Sequence, residues 1–417
     1  ATGSSVYSRA GTRMSGQMTG YSDRLQTMST HGSAMPDHER VIAIDSSVLG
    51  KILDDCASSD AKRRERSTRF IEAIKTRGLW IGIAWTHVIE LVRHGNQQVA
   101  AARVRALRSL PRIACLRAYN CSSFVGADMH LVQREMHSWL YLGLRDWEEI
   151  VTHTRQDAWT FGDGASMIPP TTDRAWGAFR ELAISDIQHE KMVASIARTD
   201  PGKIGSRSLF ELRSAKPRSL QSRTDFLPSF VQDLAGQLLQ HGDRGLAGAR
   251  RVAKEFAARS FGRVDRVEAT GGDPSSICLY HPGVPETMLD RRTTCSEFGE
   301  LTVVAELLAV VGEGLNPPAK LSLHNVELDA VPTLAMERVI RTIQRKAPIV
   351  SGSDVGDRAL VMLAIYADFV VVDKRTHEFV RQLRATAPRL GKLLGRVVKC
   401  RSYTDLPAVL ESASAST

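Results

Sequence analysis

The chain has 417 residues, of which 43% are hydrophobic and 24% are charged. This length can build two or three domains of ordinary size and excludes a small disulfide-stapled scaffold. No window approaches the roughly 18 consecutive apolar residues of a membrane span. Lysine and arginine total 55 against 46 acidic residues, and the resulting net charge of +9 mildly favours a polyanionic partner.

Six cysteines are scattered without a C-x-x-C pair, which argues against a zinc knuckle and a dense disulfide framework. Reduced thiols in a cytoplasm fit this usage best. Residues 1–39 are rich in small polar residues and lack any periodicity, so we predict a disordered tail. Met35 stands just before the first structured segment, and we expect that natural translation can begin there, in which case residues 1–34 are not translated.

The first half of the fold begins with a short β-branched strand, Val41 to Asp45, that ends in a carboxylate and passes directly into a helix. A repeated alternation of strands and helices follows and predicts a parallel sheet. Its further elements are a charged helix over Asp60–Arg77, the strand LWIGIA, helices over Trp85–Arg93 and Gln97–Ser109, and a strand around Ile113–Leu116.

After Asn120 the pattern becomes mainly helical, with hardly any runs typical of buried strands. The predicted helices are Ser123–Thr154, Arg174–Ala197, Leu227–Gln240 and Gly245–Ser260, and the predicted loops are Thr199–Thr224 and Thr270–Pro285. We therefore interpret residues 121–325 as a mostly α-helical insertion.

The α/β pattern returns at the end of the chain. Its predicted elements are helices over Val331–Lys346 and Asp357–Tyr366, the buried strand Phe369–Asp373, a helix over Glu378–Ala385 and a closing strand RVVKC. The prediction is one α/β domain in two halves, residues 40–120 and 326–410, with 411–417 as a disordered tail.

Two carboxylates, Asp45 and Asp373, each end a predicted strand of this sheet. Ligands of parallel α/β sheets bind outside the carboxyl ends of the strands, so these acids are candidates for one site. Glu90, on the helix after the second strand, and Asp354 and Asp357, which begin the helix before the last buried strand, can reach the same edge. Acids that converge in this way repel each other unless a hard divalent cation neutralises them. The pattern predicts Mg²⁺ or Mn²⁺ and metal-assisted hydrolysis of a phosphodiester.

These segments resemble the PIN-domain nucleases. VIAIDSSVLGKIL looks like their opening strand, HVIEL like their second motif, and SDVGDRALVMLAIYADFVVVDKRTHEFV like their closing acidic helix and strand. The resemblance covers about 160 residues in two blocks and leaves the region from about 121 to 325 unexplained. It implies a Rossmann-like α/β/α sandwich, dependence on Mg²⁺ or Mn²⁺, and cleavage of single-stranded RNA. Members of the family often act as toxins, which implies a possible inhibitor protein or a homodimer.

Carried over by motif, Asp45, Glu90 and Asp373 match the first, second and last acids of the family's metal site. Asp354 and Asp357 compete for the third position. Spacing to the apolar helix favours Asp357, whereas Asp354 stands where an N-cap belongs, and both can contribute.

Each acid also has a plainer interpretation. Asp45 and Asp354 can cap the helices that follow them, and Glu90 can face solvent on an amphipathic helix. Asp368 lies about 16 Å from the other end of its strand, at about 3.3 Å per residue, and is expected to be structural. Asp54 and Asp55 are expected to be solvated.

Basic residues cluster where acids are absent. No acid occurs between Leu91 and Ala127, and a basic pair directly follows Asp373. The predicted RNA-backbone contacts are Arg93, Arg103, Arg105, Arg108, Lys374 and Arg375. A second set lies in the insertion and comprises Arg244, Arg250, Arg251, Lys254, Arg259, Arg263 and Arg266. For any single arginine, an ordinary exposed face is the simpler interpretation.

Three functions compete. The leading hypothesis is a metal-dependent endoribonuclease. The alternative is a non-catalytic RNA-binding or partner-binding protein on the same scaffold. Phosphoryl transfer through an aspartyl-phosphate at Asp45 ranks last, since haloacid-dehalogenase-like domains have a second Asp where this chain has Ser47.

Overall fold

A computed structural model describes residues 39–120, 125–172, 174–196, 199, 205–214, 220–242, 246–258, 281–346, 354–400 and 402–414. The predicted N-terminal tail up to residue 38, with Met35, lies outside the described residues. So do most of the predicted loop 270–285 and four of the basic residues predicted in the insertion, Arg244, Arg259, Arg263 and Arg266.

Six strands form one sheet in the order β4-β3-β2-β1-β5-β6. They are β1 Arg40–Ile44, β2 Leu79–Ile83, β3 Ile113–Leu116, β4 Trp159–Gly162, β5 Phe369–Val372 and β6 Arg396–Lys399. All neighbours pair in parallel except β3 and β4, which are antiparallel. The predicted α/β class with a largely parallel sheet is confirmed, as is the closing strand RVVKC.

Helices cover both faces of this sheet. The helices of the first half are α1 Ser46–Cys56, α2 Ala61–Thr76, α3 Trp85–Val92 and α4 Gln97–Arg108. The intervening segment contributes α5 Asp128–Tyr141, α6 Trp147–Ala158, α7 Gly164–Met167, α8 Ala175–Ile196, α9 Leu209–Ser214, α10 Leu220–His241, α11 over 249–258 and α12 Cys295–Glu313. The closing helices are α13 Pro332–Lys346, α14 Asp354–Leu363, α15 Lys374–Thr386, α16 Pro388–Leu393 and α17 Leu406–Ser414.

The two faces of the sheet have separate cores because side chains alternate along each strand. Ile42 and Ile44 of β1 pack with α1 to α4, whereas Val41 and Ala43 pack with α5, α6 and α13 to α16. The result is a three-layered arrangement of helices, sheet and helices. Two smaller apolar clusters lie further out, one between α5 and α12 and one between α8, α10 and α11.

The intervening segment differs from its prediction in several places, among them helix α12, which lies where no element was predicted. It contains strand β4, which sequence periodicity did not show. The predicted helix Ser123–Thr154 is two helices, α5 and α6, because Gly143 in the turn between them has a positive φ of 72°, which glycine adopts readily. The predicted loop Thr199–Thr224 holds α9 and the first residues of α10.

Residues on both sides of the predicted boundary at 121 share the same cores. Leu131 of α5 and Trp159 of β4 pack into the cluster that contains Val41, and Phe179 of α8 packs into the cluster that contains Ile42. The segment from 125 to about 183 is therefore built into the sheet domain.

The chain's last described helix, α17, follows the closing strand, where no helix was predicted. Helix α17 continues to Ser414, so the prediction of a disordered tail is wrong for residues 411–414. Leu406 and Leu410 are almost fully buried, and Arg77, the C-cap of α2, forms an ion pair with Glu411 at 2.6 Å.

Two acids of the sheet domain, Asp368 and Asp55, prove structural. The Asp368 carboxylate accepts a hydrogen bond from the Val41 backbone N–H at 2.7 Å, which confirms its expected role. The expectation for Asp55 was wrong, because this residue is only 6% exposed. Its carboxylate binds Arg63 at 2.6 Å and accepts from the Tyr403 hydroxyl, which fastens the C-terminal segment to α1.

Glu135 of α5 is a fully buried carboxyl that joins distant parts of the chain. It accepts from the Thr333 backbone N–H at 3.0 Å, from the Thr333 hydroxyl at 2.6 Å and from the Tyr366 hydroxyl. Thr333 lies in the first turn of α13, so Glu135 satisfies a backbone donor that the helix itself leaves unpaired. Burial raises the pKa of Glu135 to about 7, although these donors act in the opposite direction.

This raised pKa predicts an unusual pH dependence of stability. An exposed glutamate releases its proton near pH 4.5, whereas Glu135 in the folded protein keeps its proton. The contribution of this bound proton to stability is therefore full below pH 4.5. That contribution declines as the pH rises towards about 7. Glu135→Gln removes the titrating group. The free energy of unfolding of the wild type is therefore expected to fall by on the order of 3 kcal/mol relative to that of this variant between pH 4.5 and 8.

Urea unfolding at several pH values measures this difference. Glu148→Gln, which changes an exposed glutamate on α6, is the matched control and should track the wild type. A Glu135→Gln variant whose stability follows the wild type at every pH would contradict the prediction.

Among the described residues, no helix has the length and apolarity that crossing a bilayer requires. The described cysteines Cys56, Cys115, Cys295 and Cys400 are all free thiols.

Candidate active site

The site is defined by the point where the strand order reverses. From β1 the chain moves to β2 and β3 on one side, whereas β5 and β6 lie on the other. Such a switch point opens a crevice at the carboxyl edge of the sheet, where ligands of α/β proteins bind. Asp45 and Asp373 directly follow the two strands that flank this crevice. Ile44 pairs with Val371, so Asp45 comes level with Val372, and Asp373 follows one residue further along the neighbouring strand.

Asp45 is the N-cap of α1. Its Oδ1 atom accepts from the backbone N–H groups of Ser47 at 2.8 Å and Val48 at 3.4 Å, and from the Ser47 hydroxyl. All these bonds fall on one oxygen of the carboxylate. The capping interpretation is therefore correct for Asp45, and none of these capping bonds uses Oδ2.

Asp373 has the same role at α15. Its Oδ1 accepts from the Thr376 backbone N–H at 2.7 Å, and its side chain is exposed. Both strand-end acids thus sit at helix N-termini, where the helix dipole favours negative charge.

Glu90 reaches α14 across the edge of the sheet. A Cβ atom built on Gly356 would lie 2.6 Å from Glu90 Oε1, so the carboxylate touches the first turn of α14. Asp357 is the next residue and is half-buried. Asp354 is the first residue of α14 rather than its N-cap, and its side chain lies outside the described part. The structure thus brings Glu90 to the helix that carries the two competing acids.

His87 holds the two elements that present Asp45 and Glu90. It is 2% exposed; its Nδ1 accepts from the Ala84 backbone N–H at 3.0 Å, which leaves Nε2–H to donate to the Ile44 carbonyl at 2.9 Å. Burial lowers the pKa of His87, against the opposing effects of the Ile44 carbonyl and the Asp45 charge. A neutral imidazole therefore joins the end of β1 to the start of α3.

Asp128, the first residue of α5, is a further acid behind this edge. Burial, and next the negative charge of Glu337, raise the pKa of Asp128 to about 6, while Arg358 of α14 acts in the opposite direction. Arg358 directly follows Asp357 and also binds Gln344 at 3.4 Å. Charge on Asp128 is thereby coupled to the helix that carries Asp354 and Asp357.

Within the described ranges, no three His, Cys, Asp or Glu side chains lie close enough together to hold a metal ion. The chemistry of Asp45, Glu90, Asp357 and Asp373 is nevertheless that of a site for a hard cation, since all four offer carboxylate oxygens.

The basic residues predicted to contact RNA differ in how far the fold already uses their side chains. Arg103 binds both oxygens of Asp54 at 2.7 Å, and Arg108 donates to the Ile168 carbonyl, so both guanidinium groups serve the fold. The expectation that Asp54 is merely solvated is wrong for the same reason. Arg93 is half-buried, and Arg375 lies over the Phe379 ring at 5.4 Å. Arg105 and Lys374 are exposed.

In the insertion, the described bases Arg250, Arg251 and Lys254 project from the exposed side of α11. Val252 and Ala253 face the outer apolar cluster on its other side. Arg251 also pairs with Glu255 at 3.9 Å.

Comparison of the chain with models of protein families, with curated proteins and with solved structures finds no match. The PIN resemblance therefore still depends on the sequence motifs alone.

Sequence reasoning missed the hydrogen bonds by which His87 joins β1 to α3, the contact of Gly356 with Glu90 and the raised pKa of Asp128. A signal existed for His87, because the spacing Ala-x-x-His recurs at Ala127 and His130, where the histidine again accepts from the backbone N–H of the alanine at 2.8 Å. For Gly356 the signal was a glycine inside a helical pattern, one residue before a candidate acid.

His87→Ala is expected to lower the free energy of unfolding by about 2–4 kcal/mol, because it leaves the buried Ile44 carbonyl and Ala84 N–H without a partner and opens a cavity. Urea denaturation measures the loss. His94→Ala should change stability by less than about 0.5 kcal/mol, since the hydrogen bonds of the His94 ring are with Asn96 of its own loop. Equal effects of the two substitutions would contradict the bridging role of His87.

Proposed function

We propose that this protein is a Mg²⁺- or Mn²⁺-dependent endoribonuclease with a PIN-like, Rossmann-type α/β/α core. The observation that carries the proposal is the position of Asp45 and Asp373 at the switch point between β1 and β5, with Glu90 in contact with the first turn of α14. This is the place in the fold where acids from distant parts of the chain can share one ligand.

Asp45, Glu90, Asp373 and Asp357 or Asp354 would hold the cation through carboxylate oxygens. A bound divalent cation would supply a low-pKa water as nucleophile and stabilise charge on the phosphodiester. The residues of the chain contribute position. The N-cap hydrogen bonds fix one oxygen of Asp45 and of Asp373, and His87 fixes the backbone from which Asp45 projects.

The basic pair Lys374-Arg375 supports a polyanionic substrate. Both residues lie in the first turn of α15, and this first turn contains no acid. Cations at a helix N-terminus oppose the helix dipole, so this placement costs stability unless another negative charge compensates it. The Asp373 carboxylate at the N-cap supplies one such charge, and a substrate phosphate would supply a further one.

A second candidate function is RNA or protein binding without catalysis on the same scaffold. The observation that favours it is the lack of a metal-binding group of three among the described residues. The exposed bases of α11 would then form part of the binding surface.

Asp45→Asn and Asp373→Asn distinguish these functions. Asparagine caps a helix as well as aspartate does, so both variants should remain folded. If the acids hold a cation, each substitution is expected to reduce cleavage of an end-labelled single-stranded RNA in Mn²⁺ by at least roughly 100-fold. Addition of EDTA to the wild type should abolish cleavage.

Asp146→Asn is the matched control. Asp146 also caps a helix, α6, but the 12 residues of that helix separate it by about 18 Å from the carboxyl end of β3. This variant should cleave like the wild type. Cleavage that survives both site substitutions would refute the nuclease proposal. A wild type that binds RNA without cleaving it would favour the second function.

A further inference from the structure

Gly356 occupies a position that helix propensity does not explain. Glycine is the poorest helix former after proline, yet Gly356 lies in the first turn of α14. Its φ is not in the left-handed region that would require glycine. A steric reason for glycine at this position is therefore to be found in its neighbours in space.

One side chain, that of Glu90, occupies the space beside Gly356. Apart from the helix backbone and the adjacent residues, the only described atoms within 4 Å of a Cβ built on Gly356 are Oε1 of Glu90 at 2.6 Å and Cδ of Glu90 at 3.8 Å. A contact of 2.6 Å is too short to persist. An alanine would thus displace the end of the Glu90 side chain and disturb no other described group.

Other helical glycines of the chain provide a contrast. A Cβ built on Gly177, Gly236 or Gly299 meets nothing within 4 Å. Gly164 and Gly312 are also crowded, but a Cβ built on them meets backbone oxygens at 2.2 and 2.1 Å, whereas at Gly356 the only described group that it meets is the flexible end of the Glu90 side chain.

From these contacts we infer that Gly356 is a positioning residue for Glu90. Its missing side chain lets the Glu90 carboxylate lie against α14, beside the helix position of Asp357. The inference rests on the proposed function, because it assigns this placement to the proposed cation site. The flexible end of Glu90 can move without disrupting a core, so Gly356→Ala should alter the site while the fold is preserved.

Binding of Mn²⁺ alone, followed by electron paramagnetic resonance, tests the inference in the full chain. Gly356→Ala is expected to weaken Mn²⁺ binding by roughly 10- to 100-fold, the range found when a group that orients a metal ligand is changed. Its unfolding midpoint should equal or exceed that of the wild type, since alanine favours the helix. Gly236→Ala makes the same change in an open position of α10 and should bind Mn²⁺ like the wild type.

Glu90→Asp completes a double-mutant cycle. Aspartate is one methylene shorter, so its carboxylate would not reach the position that the new methyl group occupies. Gly356→Ala should therefore have little further effect on Mn²⁺ binding in a chain that already carries Glu90→Asp. Effects of the two substitutions that simply add would overturn the positioning role.

The remaining outcomes separate the two proposals. If the wild type binds Mn²⁺, Asp45→Asn abolishes this binding and Gly356→Ala does not weaken it, the positioning role alone is overturned. A wild type that binds no Mn²⁺ overturns the cation site and the role of Gly356 together. A Gly356→Ala variant with a lowered unfolding midpoint would show a structural role and would also overturn the inference.

Discussion

The pairing of β1 with β5 is the constraint on which the rest of the structure depends. Val41 and Asp368 are 327 residues apart, yet the Asp368 carboxylate accepts from the Val41 N–H, and the Asp45 N–H donates to the Val371 carbonyl at 2.9 Å. Closing so long a loop costs conformational entropy. The apolar strand offsets this cost, since Val370, Val371 and Val372 are fully buried. Because β1 and β5 are neighbours, the acids that follow them lie at adjacent strand ends.

The parts of this arrangement that sequence reasoning predicted are local ones. A β-branched run that ends in an acid before a helix pattern identifies both β1 with Asp45 and β5 with Asp373. Strand β4 escaped prediction, because Trp159–Gly162 has only four residues and just one of them is buried. Contacts between distant segments escaped as well. Neither the hydrogen bonds of Glu135 to Thr333 nor the approach of Glu90 to Gly356 leaves a periodic trace in the sequence.

The acids of this chain lie in contrasting environments. Glu135, inside the protein, has its pKa raised to about 7 by burial, and Asp128 has its pKa raised to about 6. Asp45 and Asp373 instead lie at helix N-termini at the edge of the sheet, where backbone dipoles favour negative charge. The fold thus separates acids that join its helices from acids that face the crevice. The neutral His87 between β1 and α3 provides rigidity there without adding a charge.

Strand β4 has a consequence for the self-association of shortened forms of the chain. It covers the outer edge of β3, whose four residues are all fully buried. A shortened protein without the segment after residue 120 would present the backbone donors and acceptors of β3 to solvent, and unprotected strand edges of this kind recruit strands from other molecules. The first part of the intervening segment therefore cannot be removed without exposing the sheet to self-association.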